Sequence, residues 1–394
     1  AILQATPAGA RVLVAASGQP EDAGFAARVA EELAAADRRV LARLTGDPPA
    51  ARQALQEIQA SGGTLNAIAT TSVAGRWRVF TDLAADFPSL GNPRVVTPRS
   101  HRWPNFLKPA NLLNIANQIA VIAIVAVGMT LVIIAGGIDL SVGSLIALSA
   151  VLAAGFIRDH AGGVQASAVG MTLGCLLAIG VCGALGAFSG LMITRFAIPA
   201  FIVTLAMMLV GSGLAYLLAR GQSIYQIPDS FVWLGRGADL LGLPNAVVLM
   251  LALYAAAQVL MSRMRLGRHL YAVGGNAEAA RLAGVPVRRV LLFAYTASGL
   301  LAGVGGVVMA SQLKSGSPTY GAMYELYVIA AVVVGGTSLS GGEGRMLGTL
   351  TGALTIAVIQ NGMNLTNVES YTQKVVLGSV ILAAVLLDRL RRAR

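Results

Sequence analysis

Asp139 is the residue whose type and place most suggest chemistry. It stands in AGGIDLSVGS, at the end of a long apolar run and flanked by Gly136, Gly137 and Gly143. An ionisable group there is costly to bury alone, so it must face a bundle interior, water or a helix end. Two roles fit. Asp139 caps the next helix, with Ser141 nearby, or it belongs to a polar collar on a path through the bundle. The amides Asn117, Gln118, Gln360, Asn361 and Asn364 also fall on apolar runs, and amides hydrogen-bond hydroxyls without carrying charge. With Asp139 and Ser141 they are the candidate lining of a solute path, and each could equally serve as interhelical glue.

Other chemistries find little support. Three His and two Cys without metal-ligand spacing argue against a metal or redox site. Cys175 and Cys182 sit on one apolar run and read as packing residues. The segment 335–345, GGTSLSGGEGR, is rich in glycine, but no Lys-Ser or Lys-Thr follows as a P-loop requires. It reads as a tight, closely packed connection between two helices on the cytoplasmic side. With no Walker motif, no catalytic residue, no metal and no bound cofactor are expected, and any ATP would be used by another subunit.

The elements that must hold these residues are membrane helices. The chain is 56% hydrophobic and only 12% charged, against roughly 25% charged in soluble domains. Runs near 112–135, 143–157, 169–193, 198–219, 245–261, 290–311, 325–340, 346–365 and 372–388 are each read as a span. Such a polytopic all-α bundle has about nine crossings in this chain. The hydrophilic stretch 262–289, SRMRLGRHLYAVGGNAEAARLAGVPVRR, carries six Arg and one Glu, which holds it in the cytoplasm, and the Arg-rich tail DRLRRAR agrees. Within it Gly274, Gly275 and Asn276 read as a turn, followed by a short exposed helix bearing Glu278, Ala279, Ala280, Arg281 and Gly284. An exposed helix on a cytoplasmic loop suits docking a partner. The net charge of +11 gathers at helix ends and loops, so it signals topology and no nucleic-acid partner.

Residues 1–108 are different material, with 12 Lys/Arg and 9 Asp/Glu and no run of membrane length. The chain therefore divides into a small soluble domain, 1–108, and a transmembrane domain, 109–394. Strand patterns at 11–16, 39–44 and 65–71 alternate with helical patterns at 23–35 and 49–60, the first helix following Glu21 and Asp22. That order predicts a βαβαβ unit with a parallel sheet and right-handed crossovers. After Ala16 comes SGQPEDAG, without GxGxxG and acidic where an anion would sit, so a phosphate site is not expected. Five crossings precede the arginine-rich loop, which puts this domain on the outer face. Since the sequence begins with neither Met nor an apolar export segment, a further span upstream, the tenth of a full protein, is expected; the alternative reading is a chain that dropped the first helix, with the domain in the cytoplasm.

From Asn111 onward the wording resembles the ribose/xylose/galactose-type sugar permeases of ABC importers. The resemblance is carried by NLLNIANQIAVIAIVAVGMTLVIIAGGIDLSVGS, YAVGGNAEAARLAGVPVRRV, YELYVIAAVVVGGTSLSGGEG and GTLTGALTIAVIQNGMNL. It implies a permease subunit moving a monosaccharide, a ribose-like pentose or a hexose, across the bacterial cytoplasmic membrane. It also implies a homodimer in the lipid bilayer, a separate ABC ATPase docked on 274–284, and a periplasmic or extracellular sugar-binding protein. The βαβαβ order of residues 1–71 resembles the opening half-lobe of such binding proteins, beside the plainer reading of a small α/β module. An ion-coupled small-solute carrier would instead require paired buried acids, for which only Asp139 and Glu325 are available. A membrane receptor with an outer sensing domain is the third reading.

Overall fold

The computed structural model describes residues 3, 6–19, 22, 24–97, 105–366 and 368–392, in two compact units, Ala1–Trp103 and Pro104–Arg394. The expected acidic start at Glu21, the residues Ala23 and Trp103, and the last two tail residues lie outside the described residues.

In the first unit, strands β1 (Arg11–Ser17), β2 (Arg39–Gly46), β3 (Ala67–Thr70) and β4 (Arg94–Val96) form one sheet in the order β2-β1-β3-β4. All three pairings are parallel. The helices α1 (Phe25–Ala35) and α2 (Pro48–Ala60) follow β1 and β2. Successive residues of a strand face opposite sides, and the burial follows that period. Val12, Val14 and Ala16 pack with Ala26 and Leu33 of α1, while Leu13 and Ala15 pack with Leu55 of α2 and Phe80. Asp47 starts α2 by accepting a hydrogen bond from the Ala50 N–H at 3.1 Å. The βαβαβ order is as the sequence predicts; β4 is an addition, a three-residue edge too short to carry a period. Where an anion would sit after β1, the Ser17 hydroxyl donates to Asp22 instead.

The second unit is helical. Its long elements are α3 (Pro109–Ile134), α4 (Val142–His160), α5 (Ala168–Phe196), α6 (Ala200–Ala219), α7 (Asn245–Arg263), α10 (Val287–Leu313), α12 (Met346–Leu365) and α13 (Ser370–Arg392). Between α7 and α10 lie α8 (Arg265–Gly275) and α9 (Ala277–Leu282), and α11 is Tyr324–Val334. A strap of two short turns, Asp229–Val232 and Trp233–Arg236, precedes α7. Among the described residues seven helices, α3 to α7, α10 and α12, are long and apolar enough to cross a membrane. The chain is thus a multi-pass membrane protein. Helix α3 is the axis of the bundle, with 89% of its most apolar window buried, whereas α5, α6 and α7 present large apolar faces outward. Only a lipid-like surrounding makes such faces favourable. Helices α5 and α10 meet at glycine: a Cβ on Gly299 would strike the Cys182 carbonyl and the Gly186 backbone, so the two backbones touch.

The expected span 325–340 takes another form. Helix α11 has 11 residues, about 16 Å at 1.5 Å per residue and half the hydrocarbon thickness. The length of the apolar run misleads because Gly335 and Gly336 end the helix. The last expected span falls in α13, which is 23 residues long but carries Gln373 and Lys374 near its start.

Two irregular segments, 135–141 before α4 and 314–323 before α11, are buried in part, at Asp139 and Ser141 and at Ser315 to Pro318 and Gly321. Non-helical backbone at membrane depth is tolerated where protein satisfies it. Ile224 and Gly316 exchange backbone hydrogen bonds of 2.8 and 2.9 Å, and the Ser223 hydroxyl donates to Ser317 at 2.9 Å. The segments converge where α4 and α11 begin: a Cβ on Gly143 would collide with the Glu325 carboxylate and the Gly321 carbonyl.

Candidate functional site: an amide-lined cavity and a glycine-sealed loop

Gln118 of α3, Gln360 and Asn364 of α12, Gln373 of α13, and Tyr324 and Tyr327 of α11 surround a cavity of about 170 Å³. Ile119, Ile122 and Ala357 complete its wall. The two tyrosine rings meet edge to face, with centroids 6.1 Å apart. Gln373 is tied down, donating to the Asn364 side-chain oxygen and the Val368 carbonyl, each at 2.9 Å. Among the described residues, none that lines it carries a charge. Neutral donors and acceptors beside aromatic rings suit a hydroxyl-rich neutral solute. The cavity lies in the half of the bundle away from the arginine-rich loop, near the start of α3 and the end of α12.

Three of the sequence candidates, Gln118, Gln360 and Asn364, therefore come together here, and four do not. Asn117 donates to the Gly235 carbonyl at 3.1 Å, and its own carbonyl accepts from Gln312 at 2.8 Å, which ties α3 to the strap and to α10. Asn361 and Asn111 exchange amide hydrogen bonds of 3.0 and 3.1 Å. These two are interhelical ties. Asp139, 1% exposed, accepts from the Ser141 N–H at 3.0 Å, the Ser141 hydroxyl at 2.6 Å and the Ser298 hydroxyl at 2.7 Å. The N-cap of α4 is Ser141, so Asp139 braces the approach to the helix instead of capping it. Tyr324, Tyr327 and Gln373 were missed. The tyrosines gave one faint signal, their i,i+3 spacing at the head of an apolar run; Gln373 gave none.

Glu325 stands against the first turn of α4 and Asp139 against Ser298, each with its own surroundings. Among the described residues no group of three or more His, Cys, Asp or Glu could hold a metal ion.

At the opposite end, Gly274 and Gly275 close α8 as its last helical residues, where the sequence suggests a turn. A Cβ on Gly274 would run into the Ile134 carbonyl, and Gly341 and Gly342 pack against Gly274 and Gly275. The Gly342 N–H donates to the Ile134 carbonyl at 2.8 Å, and the Tyr271 hydroxyl to the Gly344 carbonyl at 2.7 Å. The loop is thereby sealed onto the end of α3 and onto the 335–345 connection. Asn276 then caps α9, its side-chain oxygen accepting from the Ala279 N–H at 2.9 Å. Glu278 pairs with Arg281, and Gly284 ends the turn with φ of +82°. Ala280 is buried against the bundle, while Ala279 and Leu282, the latter 79% exposed, face outward. A rigidly mounted helix with an unpartnered apolar face is a docking surface in form.

The family described as branched-chain amino acid transport system / permease component matches residues 111–385. The ribose import permease protein RbsC of Escherichia coli K12 is 44% identical over 289 residues, 72% of this chain and 87% of that protein. The protein of the same name from Bacillus subtilis 168 is 44% identical over 292 residues, 74% of this chain and 88% of that protein. The D-allose transport system permease protein AlsC of Escherichia coli K12 is 36% identical over 285 residues, 72% and 85% of the two chains. No solved structure matches.

Proposed function

Because the chain belongs to the branched-chain amino acid transport system / permease component family, we propose that it is the membrane permease subunit of an ABC importer for a monosaccharide. It performs no bond chemistry; ATP is hydrolysed by a separate ATPase subunit. The cavity of Gln118, Gln360, Asn364, Gln373, Tyr324 and Tyr327 carries the reading, because it offers uncharged hydrogen bonds and ring faces to a neutral polyol. Relatives named for ribose and D-allose support the same cargo class. The permease works as a homodimer in the bacterial cytoplasmic membrane, receiving sugar from a binding protein on the outer face.

Helix α9 docks the ATPase through Ala279 and Leu282, framed by the Glu278–Arg281 pair. Movement of the ATPase then acts on Gly274 and Gly275 and, through the glycine seal, on the 335–345 connection between α11 and α12. Since α11 and α12 both line the cavity, displacement of their shared connection alters access to it. A partner shifts such an equilibrium only through contacts that differ between the two states.

Purification of the tagged chain from its native membrane, followed by uptake of radiolabelled ribose, tests the reading. An ATPase subunit should co-purify and uptake should require ATP. Uptake that persists without the ATPase and follows a proton or sodium gradient would make the chain an ion-coupled carrier instead. Residues 1–103 lie outside the cytoplasm, because five crossings, α3 to α7, precede the arginine-rich loop. Ser61→Cys should then react with a membrane-impermeant thiol reagent in intact cells; protection there would reverse that placement.

A further inference from the structure

Between α5, α7 and α10, in the half of the bundle away from the arginine-rich loop, runs a second and larger groove of about 770 Å³. Met171, Cys175 and Ile179 line it from one face of α5, Val304 and Val307 from α10, and Leu234 from the strap. Its few polar atoms already have partners. The Ser311 hydroxyl donates to the Phe231 carbonyl at 2.6 Å and accepts from the Gly235 N–H at 2.8 Å, and the Thr172 hydroxyl donates to the Ala168 carbonyl at 2.8 Å. Water at roughly 30 Å³ per molecule would find almost nothing to bond, and apolar cavities of this kind take apolar occupants.

The dimensions say which occupant. Along α5 the groove runs from Ala168 to Ile179, about 16 Å at 1.5 Å per residue. That is half of the roughly 30 Å hydrocarbon core, the depth of one leaflet. A crossing helix would require a groove of full thickness. On the same helices Leu173 and Leu176 of α5 and Leu251 of α7 are exposed, as lipid-facing leucines would be. Next in sequence to Ser230 of the lining, and three residues beyond Ser311, stand the exposed Asp229 and its ion-pair partner Lys314. Opposite charges side by side match a zwitterionic headgroup: the lysine meets the phosphate and the aspartate the ammonium.

We propose that this groove binds one acyl chain of a phospholipid from the leaflet away from the arginine-rich loop, with its zwitterionic headgroup at Lys314 and Asp229. The site is separate from the amide-lined cavity and does not depend on what the permease carries.

Native mass spectrometry of the full chain, purified in mild detergent and washed free of loose lipid, tests it. One phosphatidylethanolamine per chain should remain bound. Val307→Phe and Thr172→Phe, which fill the groove, should each lower that occupancy about tenfold. Thr172 is exposed, so its variant folds even if Val307→Phe does not. A wild-type chain that retains no phospholipid, or equal retention in a folded groove-filled variant, overturns the proposal. So does cross-linking of Cys175 to another polypeptide in native membranes, which would give the groove to a protein partner.

Discussion

The Ser298 hydroxyl donates a 2.7 Å hydrogen bond to Asp139 Oδ2 across 159 residues of sequence. It joins the irregular segment before α4 to a point on α10 about 16 Å from the start of that helix. With the two bonds from Ser141, the carboxylate fixes the place where α4 begins. Helix α4 in turn lies against Gly321 and Glu325 at the head of α11, next to Tyr324 of the cavity.

Asp139→Ala should leave the Ser141 N–H and two hydroxyls buried without an acceptor, at about 1–3 kcal/mol for each group left unpaired. Ser298→Ala removes one donor and should cost less. The two losses should not add, because the residues share one network. Thermal unfolding of the detergent-purified variants measures this; an unchanged midpoint for both would remove the brace from the account.

Adjacent glycines should differ sharply. Gly274→Ala drives a methyl into the Ile134 carbonyl, whereas Gly275→Ala meets nothing within 4 Å. Overpacking of this kind costs about 1–3 kcal/mol. Gly274→Ala should therefore lower the melting temperature and abolish ATPase co-purification, while Gly275→Ala behaves as wild type in both. Equal behaviour of the two variants would refute the glycine seal.

On α12 neighbouring amides should separate transport from stability. Gln360→Leu loses a cavity hydrogen bond worth about 1 kcal/mol and should raise the apparent KM for sugar severalfold with the melting temperature unchanged. Asn361→Leu removes both bonds that join Asn111 to α12, leaving Asn111 its bond to the Phe106 carbonyl, and should lower stability by about 1 kcal/mol. Uptake kinetics and thermal melts on both variants decide it, and the opposite assignment of effects would place Asn361 on the path.

The Asp229–Lys314 pair sets a pH expectation. The hydrogen bond from Lys314, followed by its charge, holds the Asp229 carboxyl below its ordinary value of 3.8. A depressed carboxylate pKa contributes stability above the unfolded value and loses it as pH falls through the folded one. Since the group is fully exposed, solvent screening keeps the effect small. Between pH 5 and 8 the wild-type and Asp229→Asn melting temperatures should run parallel, and they should converge only below about pH 4. A divergence near neutral pH would mean that another group titrates there.

What the sequence determined by itself follows from local chemistry. Apolar runs of membrane length require helices, because every backbone group in hydrocarbon must be paired within its own segment. Six arginines in one loop are a signal for its side of the membrane, and the unbroken apolar run inside Arg11–Ser17 reads as a strand, which the structure buries on both faces. The candidate list around Gln118, Gln360 and Asn364 was legible because polar side chains in apolar runs are costly and few. Only the tertiary structure decided which of them face one another. Neighbours on a helix such as Gln360 and Asn361 point about 100° apart, yet the sequence of α12 does not fix its rotation. Packing against α3 and α11 does, turning Gln360 to the cavity and Asn361 to Asn111. The seal between Gly274 and Ile134 was hidden for the same reason: it rests on a contact between residues far apart in the chain, and no local pattern encodes a distant partner.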